Sequence, residues 1–155
     1  MVAAPPRARR YLAVDPRWLG LIFVGAALGT SARSLLEGAW PAGPGAFPWT
    51  TFWINVGGSL LLGMLLEAIA ESGRDSGWRR GLRLGVGTGV MGGFTTYSTF
   101  SVETVLLLRS GHGLVALGYA LASVVTGVVA ALLGVRLVRW TTRGLRRNVA
   151  ARSVR

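Results

Sequence analysis

The chain has 155 residues, 51% hydrophobic and only 15% charged, against roughly a quarter charged in soluble domains. Its 17 basic residues, all arginine, outweigh 6 acidic ones to give a net charge of +11. The absence of cysteine excludes disulfides, thiolate metal sites and cysteine nucleophiles, and one histidine cannot build a His-based metal site.

Residues 1–17 form a tail rich in proline and arginine. A first apolar span is predicted over 18–36, interrupted by Gly25, Gly29, Thr30, Ser31 and Arg33. Residues 37–50 (EGAWPAGPGAFPWT) carry three prolines and three glycines and read as a loop. A second span over 51–70 is apolar except for Asn55, Ser59 and Glu67, and the charged loop ESGRDSGWRRG comes after it. The third span, 82–108, holds GVGTGVMGGFTTYSTFSVE at its centre. The fourth, 114–138, is apolar but for Tyr119, Ser123, Thr126 and Arg136, and residues 139–155 are a second basic tail. Each span matches the roughly 20 residues a helix needs to cross the hydrocarbon core. The expectation is an all-α membrane protein: four transmembrane helices over 18–138, flanked by basic tails at 1–17 and 139–155.

The arginines lie between and beyond the spans, where cytoplasmic anchoring and anionic lipid headgroups account for them. Membrane lipid is therefore an expected partner and nucleic acid is not. ARRYLAV at 8–14 resembles a secretory or twin-arginine signal. The first span continues to Arg33 and three more spans come after it, so a spanning helix is expected instead. Gly87, Gly89 and Gly92 spell G-x-G-x-x-G, but without a strand before them or an acidic residue about 20 positions on, the dinucleotide reading fails. Close helix contact or a helix break is the better reading.

In the third span, two glycines (Gly92, Gly93) precede six hydroxyl side chains in the seven residues from Thr95 to Ser101. Paired glycines followed by β-branched threonines make a poor helix. A break frees backbone groups that lipid cannot satisfy, so broken helices line cavities or bind ions. Freed carbonyls suit a small cation; the hydroxyls of Ser98, Thr99 and Ser101 can solvate an anion. Asn55 offers amide donors from the second span, and Glu103 is an intramembrane carboxylate of the kind that marks function. Arg33 is expected to snorkel toward the interface.

These residues resemble a known family, the small fluoride channels called Fluc or CrcB. GGFTTYSTF with the following S-x-E is similar to that family's third-helix signature. The resemblance extends to Gly25, Gly29, Ser31 and Arg33 in the first span and to FPWTTFxxNxxGSxLLG around Asn55, Gly58 and Gly63 in the second. Tyr119, Ser123 and Gly127 fit more loosely. The resemblance implies that Gly92 and Thr95 give carbonyls to a structural sodium ion at a subunit interface, that Asn55 lies on the fluoride path, and that Tyr97 and Phe100 hold two aromatic positions facing the ion. Ser98, Thr99 and Ser123 would complete a polar track, supported by Arg33, Glu103 and Tyr119. Tyr97 departs from the commoner phenylalanine, and Thr50 from a frequent glycine.

The resulting expectation is a passive fluoride channel of the cell membrane, not an enzyme, with its third helix broken at the centre. Four short helices enclose a pore poorly, so a dimer is expected, and the resemblance implies an antiparallel, dual-topology one. Both termini and the 71–81 loop share a side bearing 15 of the 17 arginines, which predicts cytoplasmic termini. That bias opposes insertion of one chain in both orientations and favours a heterodimer with an oppositely biased relative over a homodimer. The alternative function is a small four-helix drug or cation exporter using Glu103 as its coupling carboxylate.

Overall fold

The computed structural model describes residues 15–152, with side chains described as far as Arg143. Helix α1 (Pro16–Ala39) starts where sequence and physics agree: Pro16 fits the first turn and Asp15 caps it, accepting a hydrogen bond from the Arg17 N–H. The Arg17 guanidinium also holds the Asp15 carboxyl below its ordinary range. After the loop comes α2 (Trp49–Ser72), then the short α3 (Trp78–Leu82). A π-helical stretch, Arg83–Met91, leads into the single turn α4 (Gly92–Phe94). Thr95 and Thr96 are extended, with ψ of 153° and 121°. Helix resumes in α5 (Tyr97–Arg109) and, after a turn at Gly111, in α6 (Gly113–Arg152).

No strand occurs among the described residues. Three helical stretches there are long and apolar enough to cross a membrane: Pro16–Ala39, Trp49–Ser72 and Gly113–Arg143. The region predicted as one span over 82–108 is instead a chain of shorter segments, none of which qualifies alone. Helix α6 runs past the expected end at 138 to Arg152, because no proline intervenes and arginine is a good helix former. Thr50 is the second residue of α2, and its hydroxyl ties that helix to the Trp40 carbonyl at the end of α1.

Small residues set the packing. A Cβ on Gly25 or Gly29 would collide with backbone atoms of Gly85 or Val90, and one on Gly89 or Gly93 with the backbone of α1. The glycine-rich run thus serves backbone contact between α1 and the π-helical stretch, as small-residue stripes do in membranes. On the other side, Gly63 of α2 meets Ala131 of α6, and Gly134 meets Leu60 and Met64. The buried cluster is small (Phe52, Leu107, Ala116, Tyr119), whereas Phe23, Leu28, Leu35 and Leu114 point outward. Such an apolar exterior suits lipid as solvent.

Candidate functional site

The site is built around Thr95 and Thr96, between α4 and α5. Asn55, in the second turn of α2, closes a pair of hydrogen bonds on Thr96: Nδ2 donates to the Thr96 carbonyl at 3.0 Å and Oδ1 accepts from the Thr96 N–H at 2.8 Å. One further turn along α2, Gly58 leaves space that the Thr95 side chain fills. The break is therefore held from outside by a partner 41 residues away. Of Asn55's two amide N–H groups, one is committed to Thr96 and one is left for the groove.

Thr96 in turn organises the start of α5. Its hydroxyl caps that helix by accepting from the Thr99 N–H at 3.0 Å, donates to Thr99 Oγ1 at 3.0 Å and lies 3.2 Å from Ser98 Oγ. Two of the six hydroxyls instead bond back within helical turns: Thr95 to the Met91 carbonyl and Ser101 to the Tyr97 carbonyl. The first turn of α5 thus presents backbone N–H groups and clustered hydroxyls at the positive end of a helix dipole, an arrangement suited to an anion.

A groove of about 300 Å³ brings Asn55, Thr95, Thr96, Tyr97, Phe100 and Ser123 together, with Ser59 beside them. Phe100 is half-buried against Tyr119, ring centroids 5.2 Å apart. Tyr97 is 81% exposed, with its ring 6.0 Å from that of Phe100. Ser123 is buried on α6, and its Oγ has no hydrogen-bond partner. A buried hydroxyl without a partner is unusual, and this one lies against the groove.

Thr99 and Glu103 lie elsewhere. Both line a separate cavity of about 520 Å³ under the 40–48 loop, together with Glu37, Thr51 and Ser110. Glu103 accepts from Thr51 Oγ1 at 2.8 Å and from the fully buried Tyr119 hydroxyl at 2.7 Å. Arg33 does not snorkel. Its Nε donates to the Gly93 carbonyl at 3.3 Å, and Nη1 contacts Thr99 Oγ1 at 3.4 Å and Glu37 Oε2 at 2.9 Å. Thr96 bridges the two spaces, since its hydroxyl network reaches Thr99 while its backbone faces Asn55.

The backbone also bears on the expected cation. The N–H groups that would close helical turns onto the carbonyls of Gly92 and Thr95 are diverted, Thr96 N–H to Asn55 and Thr99 N–H to the Thr96 hydroxyl. Two hard carbonyl oxygens are left without those partners, which fits a small cation. No cluster of three or more acidic or histidine side chains that could hold a metal occurs among the described residues, so a cation site here is a backbone site. A Cβ added at Gly92 meets nothing within 4 Å, which leaves that face open.

Sequence reasoning left out Thr96, Thr51 and Glu37. Thr96 had a readable signal, the Thr96-x-x-Thr99 spacing of a capping threonine, and Glu37 stands at i+4 from Arg33. Thr51 carried none.

The model of a family described as "CrcB-like protein, Camphor Resistance (CrcB)" matches residues 20–135. The chain belongs to the CrcB family. Among CrcB relatives, "Fluoride-specific ion channel FluC 2" of Nocardia farcinica is 40% identical over 134 residues, covering 86% of this chain and 94% of its own. A protein of the same name from Leifsonia xyli subsp. xyli is 47% identical, covering 84% and 88%. "Fluoride-specific ion channel FluC 1" of Cutibacterium acnes is 43% identical, covering 80% and 87%.

Proposed function

We propose that this CrcB-family chain is a fluoride-specific channel that lets cytoplasmic fluoride leave the cell down its gradient. The observation that carries the reading is the Asn55–Thr96 clamp. It holds a helix break beside a groove lined by Asn55, Thr96, Ser123 and the Tyr97 and Phe100 rings. Fluoride is small and strongly hydrated, so a path must replace its water with donors yet bind weakly enough for release. One Asn55 N–H and the Ser123 hydroxyl supply donors in the groove, and Thr99 supplies another in the separate cavity beyond Thr96. The positive edges of the Phe100 and Tyr97 rings face the ion without gripping it. The exporter reading is weaker, because both oxygens of Glu103 are already engaged by Thr51 and Tyr119.

In the same reading, α3, the π-helical stretch, α4 and α5 together make one interrupted third crossing of four. The Gly92 and Thr95 carbonyls hold a structural sodium ion. Two carbonyls are too few for that ion, so a second subunit supplies more and the assembly is an antiparallel dimer across the open Gly92 face. The arginine-rich end faces the cytoplasm at the plasma membrane, in contact with anionic lipid. Its 15-to-2 arginine bias favours an oppositely biased relative as partner over a second copy of this chain.

Fluoride efflux from liposomes loaded with potassium fluoride, followed with a fluoride electrode after adding a potassium ionophore, tests the function. Efflux above protein-free liposomes, with chloride retained, is the expected result. Absence of efflux both for this chain alone and with an oppositely biased relative would refute it. Tags on both termini, probed for accessibility in intact cells, test orientation.

A further inference from the structure

The cavity under the 40–48 loop holds a charge arrangement that the fluoride path itself does not require. Arg33 and Glu37, one helical turn apart on α1, form an ion pair at 2.9 Å with side chains only 18% and 24% exposed. Arg33 is fixed by the Gly93 carbonyl and contacts both the Thr99 hydroxyl and Glu37, which line this cavity, so its charge lies directly behind the cavity wall. Glu37 lines the cavity, and its second oxygen, Oε1, is buried without a hydrogen-bond partner. A carboxylate oxygen left unsatisfied is unfavourable for stability, so the fold gives no account of it. The other acid there, Glu103, has both oxygens satisfied.

Electrostatics supplies an account. A guanidinium is always charged and carries five donors, so beside a hydroxyl-lined opening it attracts small anions and raises their local concentration. With Glu37 against it, the pair is neutral, and the unpartnered Oε1, buried beside the cavity wall, adds a like-charge field against an approaching anion. Building on the channel reading above, we propose that Glu37 is an electrostatic brake at this mouth. It occupies Arg33, weakens the capture of a small monovalent anion there, and so sets the fluoride concentration at which flux half-saturates.

The test uses the full chain in liposomes, with flux measured against fluoride concentration at low and high ionic strength. Glu37→Gln keeps the shape of the side chain and removes its charge; it should lower the half-saturating fluoride concentration by roughly tenfold at low ionic strength. The gain should shrink in high salt, which screens exposed fields. Arg33→Gln should raise the half-saturating concentration, and Glu37→Gln in that background should add nothing, because the brake acts through Arg33. Asp75→Asn, an equal charge change paired with Arg83 near the opposite end, should leave the curve in place. Glu37→Ser provides a second neutral variant if the glutamine variant fails to fold. An unchanged or raised half-saturation in both neutral variants, or a gain that persists without Arg33, overturns the brake while wild-type flux upholds the channel. The same curves are measured with an oppositely biased relative added if the chain alone is silent, and absence of wild-type flux in both preparations overturns both.

Discussion

Replacing Asn55 separates its structural and transport roles. In Asn55→Ala both hydrogen bonds to Thr96 disappear, stranding one backbone N–H and one carbonyl in a half-buried break. An orphaned buried polar group costs about 1–3 kcal/mol, so two of them cost about 2–6 kcal/mol on the same scale. In Asn55→Asp the acceptor for the Thr96 N–H survives, but a carboxylate oxygen replaces the donor 3.0 Å from the Thr96 carbonyl. That variant loses one bond, about 1–3 kcal/mol for the orphaned carbonyl, with like-charge repulsion added. The expected order of thermal unfolding midpoint in detergent is wild type above Asn55→Asp above Asn55→Ala. Both variants should lose fluoride efflux from liposomes. An Asn55→Ala protein with an unchanged midpoint would refute the clamp. One with unchanged efflux would remove Asn55 from the path.

Gly29→Ala should abolish the yield of monodisperse protein in detergent, because its Cβ would overlap the backbone of Val90 and Phe94; Gly38→Ala, in open space, should be neutral. Ser123→Ala should lower flux without moving the unfolding midpoint, since its hydroxyl makes no bond to lose. Phe100→Ile should impair flux and Tyr97→Phe should preserve it, because the proposed path uses the ring edge and not the phenol; liposome efflux checks all three. A Cβ at Gly92 meets nothing within 4 Å in its own chain, so loss of the dimer in Gly92→Ala by light scattering in sodium buffer would locate the ion and the partner at that face. Thr95→Ser, with the same carbonyl, should keep the dimer, and replacing sodium by a bulky organic cation should weaken it in the wild type.

How much of this is legible in the sequence differs from residue to residue. The apolar spans around 18–36, 51–70 and 114–138 are visible because helix length and hydropathy are local quantities; the first two observed helices extend them by a few residues, while α6 continues well beyond 138 to Arg152. The interruption near Thr95 is equally local: paired glycines and β-branched residues disfavour helix wherever they occur. What Asn55 does is not local. A lone amide in an apolar span reads equally as a pore donor or an interhelical bond, and only the packing of α2 against residues 95–96 commits half of it to Thr96. The same holds for Glu103, whose engagement by Thr51 and Tyr119 requires three helices to meet, and for Arg33, expected at the interface but turned inward to Gly93 and Glu37. The sequence by itself determined an apolar helical chain with a weak point and a hydroxyl run, since burial in lipid and backbone propensity act residue by residue. Only the tertiary structure decided which polar atoms are spent on holding the break and which, like Ser123 Oγ, stay free, because hydrogen bonds are exclusive and their partners lie tens of residues away.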